Sequence, residues 1–528
     1  MKTRSIIIVI AVIMVSALAF TACGPKPTDQ PSSSQDVSTG VSSALSTDPI
    51  EVSIFRSSDM SQNYSDELFV DFIKEKFNIT LKYTYVPSSV AVEKMNLAFA
   101  TNTYNDMLEM VSTSDVNRLA KDKFVVPLSD HLDRLNNYKD AYTEEDWKRL
   151  TDTISDADNK FYILPVKEAV NSSSSWIWMY RNEEFTKLGL PVPKTIDELY
   201  TGLKKIKEDV NPNLTIPNRW GLINALEGFN LAFRTKYDIW KDPDEDYQIV
   251  LGAATDKFRD LLIFMHKLYA EDILAKEFVT MKDSQRMSQF TQGNVYCNFQ
   301  FSGYEESLNT IMTAAGKPAN WAADVEYLTL TAYPEKGPMQ QKWPAFYNFG
   351  VALTDRLEGD KLYRVLEYIN WSCSEEGQFF HEFGVEGESY ELVDGVPQFI
   401  GKYFDPSEPN AYFGLLQDHG PFGYFVIQNE AHAEKAYPGP AKTNKNLEGV
   451  EQMDYSPVPF RFTDAEEARQ ADLGTIIDQI VKEHIQQFIM GNKDPNNETE
   501  WQNYINALKN AGLDEYLQIL RDANARIG

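Results

Sequence analysis

The sequence predicts an α/β protein with at least two lobes, each a mostly parallel sheet flanked by helices, and a helical C-terminal region. Three observations carry this. The chain has 528 residues, more than one ordinary hydrophobic core serves. From residue 51 strand-period and helix-period segments alternate, the mark of a helix-covered, largely parallel sheet. That alternation restarts after residue 170, and from Leu362 onward helical spacing dominates.

Glu51–Arg56 (EVSIFR) is the first predicted strand. Ser65–Phe77 follows with Leu68, Phe69, Phe72, Ile73 and Phe77 at helical spacing. Ile79, Leu81, Tyr83 and Tyr85 then alternate with Thr80, Lys82 and Thr84, which is strand spacing. Val92–Thr101 reads as a second helix and Asp106–Val111 as a third strand. In the second half, Trp176–Tyr180 (WIWMY) is an apolar strand. Thr195 and Glu198 form a capping box that opens a helix with Ile196, Leu199, Leu203 and Ile206 on one face. Phe258, Leu261, Leu262, Met265, Leu268 and Tyr269 mark another amphipathic helix. Strands are expected over Asn294–Phe301, Tyr327–Tyr333 and Asn348–Leu353. Helices are expected over Tyr363–Cys373, Asp464–Met490 (stopped by Gly491) and Glu498–Ala525.

The opening segment directs the chain outward. Lys2 and Arg4 precede an apolar run, Ile6–Phe20, too short to span a bilayer and ending in small residues, as a secretory signal does. Phe20-Thr21-Ala22-Cys23 resembles the bacterial lipobox, with Phe20 where that pattern prefers Leu. The resemblance implies cleavage after residue 22 and acyl chains on Cys23, and more than one chain is needed for stable anchoring. Residues 23–48, rich in Ser, Thr and Pro, hold too little apolar surface to fold and read as a disordered tether. The net charge of −28 argues against a nucleic-acid partner. Cys297 and Cys373 read as buried free thiols, though an oxidising compartment permits a disulfide. The six histidines are scattered, with no zinc-binding spacing.

Several stretches, taken in order, resemble one family. "EKMNLAFATNTYNDMLEM" (Glu93–Met110) resembles the helix–turn–strand of extracellular solute-binding proteins. "FVVPLSDHLDRL", "NKFYILPV" and "MYRNEEFTKLGLPVPKTIDELYTGLKKIKE" match its next landmarks, the last most specifically. "GVEGESYELVDGVPQF" resembles a motif of the larger lipid-anchored members, the LplA-like oligosaccharide-binding lipoproteins of ABC importers. The resemblance implies a type II periplasmic-binding-protein-like fold. A monomer would close on an oligosaccharide between its lobes, hand it to ABC permease subunits and need no cofactor. It places lobe 1 at 49–170 plus about 322–372, and lobe 2 at 171–321 plus about 373–528.

In open α/β sheets ligands gather at the carboxyl ends of strands. That rule nominates Arg56, Ser57, Ser58 and Asp59 after the first strand, and Glu109, Ser112 and Asp115 at the third. It adds Ser173, Ser175 and Trp176 at the lobe crossing, and Asn224, Glu227 and Phe229 in "RWGLINALEGF". Tyr304, Trp343, Phe346 and Tyr347 supply aromatic faces for the C–H faces of a sugar. Some larger members of the family also carry an EF-hand-like calcium loop after the capped helix. Here Asp209, Asn211 and Asn213 keep the oxygen alternation, but Leu214 replaces the turn glycine and Trp220 the bidentate Glu, so no metal is expected. Two other functions share these features. A ligand-presenting sensory receptor would have the same fold and site. A lipid-anchored glycoside hydrolase would need two facing carboxylates, and no pair stands out.

Overall fold

The computed structural model describes residues 45–57, 67–156, 158–167, 176–218, 221–301, 308–309, 312–316, 325–342, 346–400, 427, 450–454 and 458–527. The signal and lipobox, with Cys23, lie outside them. The first sheet is five-stranded, in the order Ile79–Val86, Ile50–Ser57, Met107–Ser112, Phe346–Leu353, Leu164–Lys167. Its strands are β1 (Ile50–Ser57), β2 (Ile79–Val86), β3 (Met107–Ser112), β4 (Leu164–Lys167) and β11 (Phe346–Leu353). β1 runs parallel to β2 and β3, while β11 is antiparallel to both β3 and β4. The helices α1 (Glu67–Phe77) and α2 (Ser88–Ala100) connect the first three strands, as the alternation predicts, and α3 (Thr113–Lys121) follows β3 without having been expected. Val52, Ile54, Ile73, Met107, Leu164 and Val351 anchor the core around this sheet.

A second core begins with β5 (Trp176–Arg181), flanked by β8 (Cys297–Phe301) and β9 (Val325–Leu328). Both pairings are antiparallel. Here the sheet differs from the mostly parallel arrangement expected of each lobe. Both neighbours of β5 run opposite to it; strand direction depends on how distant segments meet, which the local strand and helix period does not encode. Around this sheet stand α7 (Ile196–Asp209), α8 (Leu222–Asn230), α9 (Asp256–Ala270) and α10 (Asp283–Thr291). The predicted capping box at α7 is present. The Thr195 hydroxyl accepts from the Glu198 amide at 3.1 Å, and Glu198 Oε2 accepts from the Thr195 amide at 3.1 Å. Ile196, Leu199, Leu203 and Ile206 are all buried.

The C-terminal helices complete the second core through Leu473, Ile477, Val481, Ile485, Trp501, Tyr504 and Leu513. The helix over Asp464–Ile489 agrees with the sequence reading. The helix expected over 498–525 is instead two, Glu498–Asn510 and Leu513–Ala525. Gly512 between them has φ of 95°, the left-handed conformation that ends a helix. The predicted strand Tyr327–Tyr333 shortens to β9, with Thr331 bridging to Thr195. Leu328 and Leu330 pack in the second core, while Phe380 packs in the first. Cys297 and Cys373 are free and buried in different cores, and burial pushes both thiols up.

Candidate functional site

The strand register assembles one edge of the first sheet. Arg56 stands opposite Glu109, Phe349 opposite Ser112, and Phe346 opposite Lys167. Because β11 is antiparallel to β3 and β4, its N-terminal end meets their carboxyl ends. Ser57, Ser112, Lys167 and Tyr347 therefore share the edge that strand topology favours for ligands. From this edge the chain passes to the second core between Lys167 and Trp178, and it returns between Leu330 and Phe346.

The nominated groups fare differently along that edge. Arg56 Nη1 donates to Glu109 Oε2 at 2.6 Å, and the Tyr83 hydroxyl donates to Glu109 Oε1 at 3.4 Å. The Glu109 side chain is 1% exposed and that of Arg56 13%. Burial by itself would lower the Arg56 pKa; Glu109 more than reverses this and holds the guanidinium charged. Burial pushes the Glu109 carboxyl up against the pull of Arg56. The two residues thus satisfy each other beneath the edge. Ser112 caps α3, accepting from the Asp115 amide at 3.1 Å and donating to the Asp115 carboxylate at 2.6 Å. Asp115 also takes Arg118. The Ser57 hydroxyl donates to Ser88 Oγ at 3.2 Å. Tyr347 and Phe349 are half-buried and stacked, with ring centroids 4.8 Å apart and planes at 21°. Phe346 is buried.

On the second core, Trp176 pairs with Phe301 at the sheet end where the chain arrives. Glu227 is exposed on α8 and accepts from Asn224 Nδ2 at 3.2 Å. Desolvation by the surrounding protein nevertheless raises its carboxyl above the ordinary value. Phe229 is buried, its ring 4.6 Å from Trp178 and 5.2 Å from Phe264, so it supports the wall rather than facing solvent. A Cβ on Gly228 would stand 2.7 Å from Trp178, so only glycine lets the indole cross the helix there. Beside it, along the outer edge of β8, lies a recess of about 20 Å³, room for about one water. It is lined by Asn218, Asn224, Asn298 and Gln300 among others. Asn298 is 3% exposed and its Nδ2 has no partner among the described residues. Of these amides, Asn224 is already nominated from the sequence, whereas Asn298 and Gln300 escaped the sequence reading. Their signal was the alternation in Cys297–Phe301, where Asn298 and Gln300 share one face of an apolar strand. Ser58, Asp59, Ser173, Ser175, Tyr304 and Trp343 lie outside the described residues, as does the side chain of Trp176.

Two hydrophobic cores, with the chain passing from the first to the second and back, are the organisation of a two-lobed protein. Residues 67–380 match the model of the bacterial extracellular solute-binding proteins, and the chain belongs to that family. Lipoprotein LipO of Bacillus subtilis is 22% identical over 360 residues, covering 64% of this chain and 67% of LipO. The fructooligosaccharide ABC transporter substrate-binding protein FusA of Streptococcus pneumoniae is 26% identical over 290 residues, 51% of this chain and 52% of FusA. Among solved structures, alginate-binding protein AlgQ2 without calcium ion superposes with a TM-score of 0.71 at 19% identity, covering 91% of this chain and 99% of its own. FusA, solved as an EF-hand mutant with fructo-nystose, superposes at 0.67 and 16% identity, covering 90% and 99%. These likenesses establish the two-lobed fold.

Proposed function

We propose that this chain is the lipid-anchored substrate-binding subunit of a bacterial ABC importer, taking an oligosaccharide between its lobes and passing it unaltered to the permease. The observation that carries the reading is the stacked Tyr347–Phe349 pair, half-buried beside Ser112 at the sheet edge next to the crossing segments. Flat aromatic faces suit the C–H faces of sugar rings, and hydroxyl and amide groups nearby suit their hydroxyls. The relatives support the ligand class, FusA being a fructooligosaccharide transporter's binding protein and AlgQ2 an alginate-binding one. Asp59, Ser175, Trp176, Glu227, Tyr304 and Trp343 are proposed to complete the site, while Arg56, Glu109 and Phe229 shape it from beneath.

In this reading the lobes are residues 49–170 with about 322–372, and 171–321 with about 373–528, except that Leu328 and Leu330 side with the second core and Cys373, Phe380 and Ile427 with the first. The protein works as a monomer, by closing the lobes on a ligand that stabilises the closed form. Cys23 carries the acyl chains that hold it at the outer face of the cell membrane. Among the described residues no helix is long and apolar enough to cross a membrane.

A thermal-shift screen against a glycan panel tests the ligand class. A ligand at 100 times its Kd adds about 2.7 kcal/mol, a readily measured rise in Tm. The glycan should be recovered intact after incubation. A rise with peptides or amino acids and none with any glycan refutes the ligand class, and release of reducing sugar refutes the binding-only role. Cys23→Ala should abolish metabolic acyl labelling; label retained in that variant refutes the anchor.

A further inference from the structure

Past the end of α7 the backbone turns three carbonyl oxygens onto one cation, and the chain supplies that cation itself. Lys207 Nζ donates to the carbonyls of Pro212 at 3.0 Å, Leu214 at 3.0 Å and Asp272 at 3.1 Å. An ammonium has three N–H donors, and each has its own acceptor here. The acceptors come from two separate segments, the loop after α7 and the residue beyond the end of α9. Asp272 adopts φ of 56°, the left-handed conformation common just past a helix end. The lysine stem is half-buried.

This is the region where the family resemblance implies a calcium loop, and the residues present do not fit one. Calcium takes six to eight oxygens, carboxylates prominent among them. Here several of the candidate oxygens are committed elsewhere. Asp209 Oδ2 accepts from Lys205 at 2.7 Å, and the Asp272 carboxylate pairs with Lys276 at 2.7 Å. Asn211 Oδ1 accepts from the Asn213 amide at 3.0 Å, closing a tight turn, while its Nδ2 donates to the Gly293 carbonyl at 3.1 Å. Leu214 is fully buried in the second core. Among the described residues no group of three or more His, Cys, Asp or Glu could hold a metal.

We propose that Lys207 is the resident cation of this loop, a tethered ammonium that makes the loop independent of metal. Neutral carbonyl dipoles with no carboxylate among them suit a single positive charge better than a double one. The loop in turn is stitched to the rest of the second core, since the Ile216 amide donates to Ile273 and the Ala275 amide donates to Ile216. Lys207 thus ties α7, its loop and the end of α9 together. The inference stands apart from the sugar reading and survives if that reading fails.

The test is thermal melting of the purified protein in EDTA and in millimolar calcium chloride, with calcium titration calorimetry alongside. The wild type should melt at one temperature in both. Lys207→Met should lower Tm by about 4 °C or more, having stranded three carbonyls, and Lys207→Arg should recover most of that loss. Recovery by arginine but not methionine separates a role for charge from one for packing. If Lys207→Met does not fold, the wild-type titration and Lys207→Arg still decide. Two results would overturn the proposal: a calcium-dependent rise in wild-type Tm that Asp209→Ala abolishes, or a Lys207→Met protein as stable as the wild type.

Discussion

Removing the Glu109 carboxylate should destabilise the protein without touching its ligand. The change strands a guanidinium beneath the sheet edge. Glu109 is 1% exposed, Arg56 13%, and they meet at 2.6 Å. Breaking one side of a buried pair costs about 3–5 kcal/mol, because the remaining charge has neither water nor partner. Glu109→Leu removes charge and acceptor together and should fall near the middle of that range, about 4 kcal/mol. Glu109→Gln keeps one oxygen for Arg56 and should cost less, about 2–3 kcal/mol. The double change Arg56→Met with Glu109→Leu removes the need for pairing and should return most of the loss. Urea unfolding followed by tryptophan fluorescence reads this directly, since Trp147 and Trp371 pack against the first core. Calorimetry on the folded Glu109→Gln protein, with whichever glycan the screen identifies, should give an unchanged affinity. A Glu109→Leu protein of wild-type stability that no longer binds glycan would show that these residues contact ligand and would refute the reasoning.

Three further outcomes follow from the same geometry. Tyr347→Ala should weaken glycan binding about tenfold by loss of one stacking face, with little effect on Tm; unchanged affinity would move the site elsewhere. Thr195→Ala should cost about 1 kcal/mol by uncapping α7, measured by urea unfolding, and a cost near zero would deny the capping box any weight. Asp106 carries an acid-dependent share of stability. Burial alone would raise its pKa, but the Ser53 amide at 2.7 Å and Lys361 at 2.9 Å outweigh burial and hold the carboxyl below its ordinary value. Its contribution is therefore complete above the unfolded carboxylate range, about pH 4, and is lost as pH falls through the folded pKa. Asp106→Asn should melt below the wild type at neutral pH, and the two should converge under acid; a gap that stays constant with pH would contradict this.

Local elements were the legible part of the fold. The cap at Thr195 and the buried face of α7 depend on side chains within two helical turns, so spacing reveals them. The strands β1, β2 and β3 with their helices show in the same way, because their period is written in consecutive residues. The broken C-terminal helix was legible only in part. Gly512 stands in the sequence, but helical periodicity continues on both sides of it.

The amino-acid order alone determined that this is an α/β chain with two cores and a helical end, since burying one face of each element needs only a local pattern. Three-dimensional packing decided what the polar residues do. Arg56 and Glu109 lie at the ends of two strands, and only the register of β1 on β3 makes them partners. The insertion of β11 between β3 and β4 brings Tyr347 to the shared edge from a distant part of the chain. Lys207 meets the Asp272 carbonyl because α7 and the end of α9 pack together. A charge or hydrogen-bonding group has many acceptable partners, and the choice among them is made by contacts between segments far apart in the chain, which no local spacing encodes.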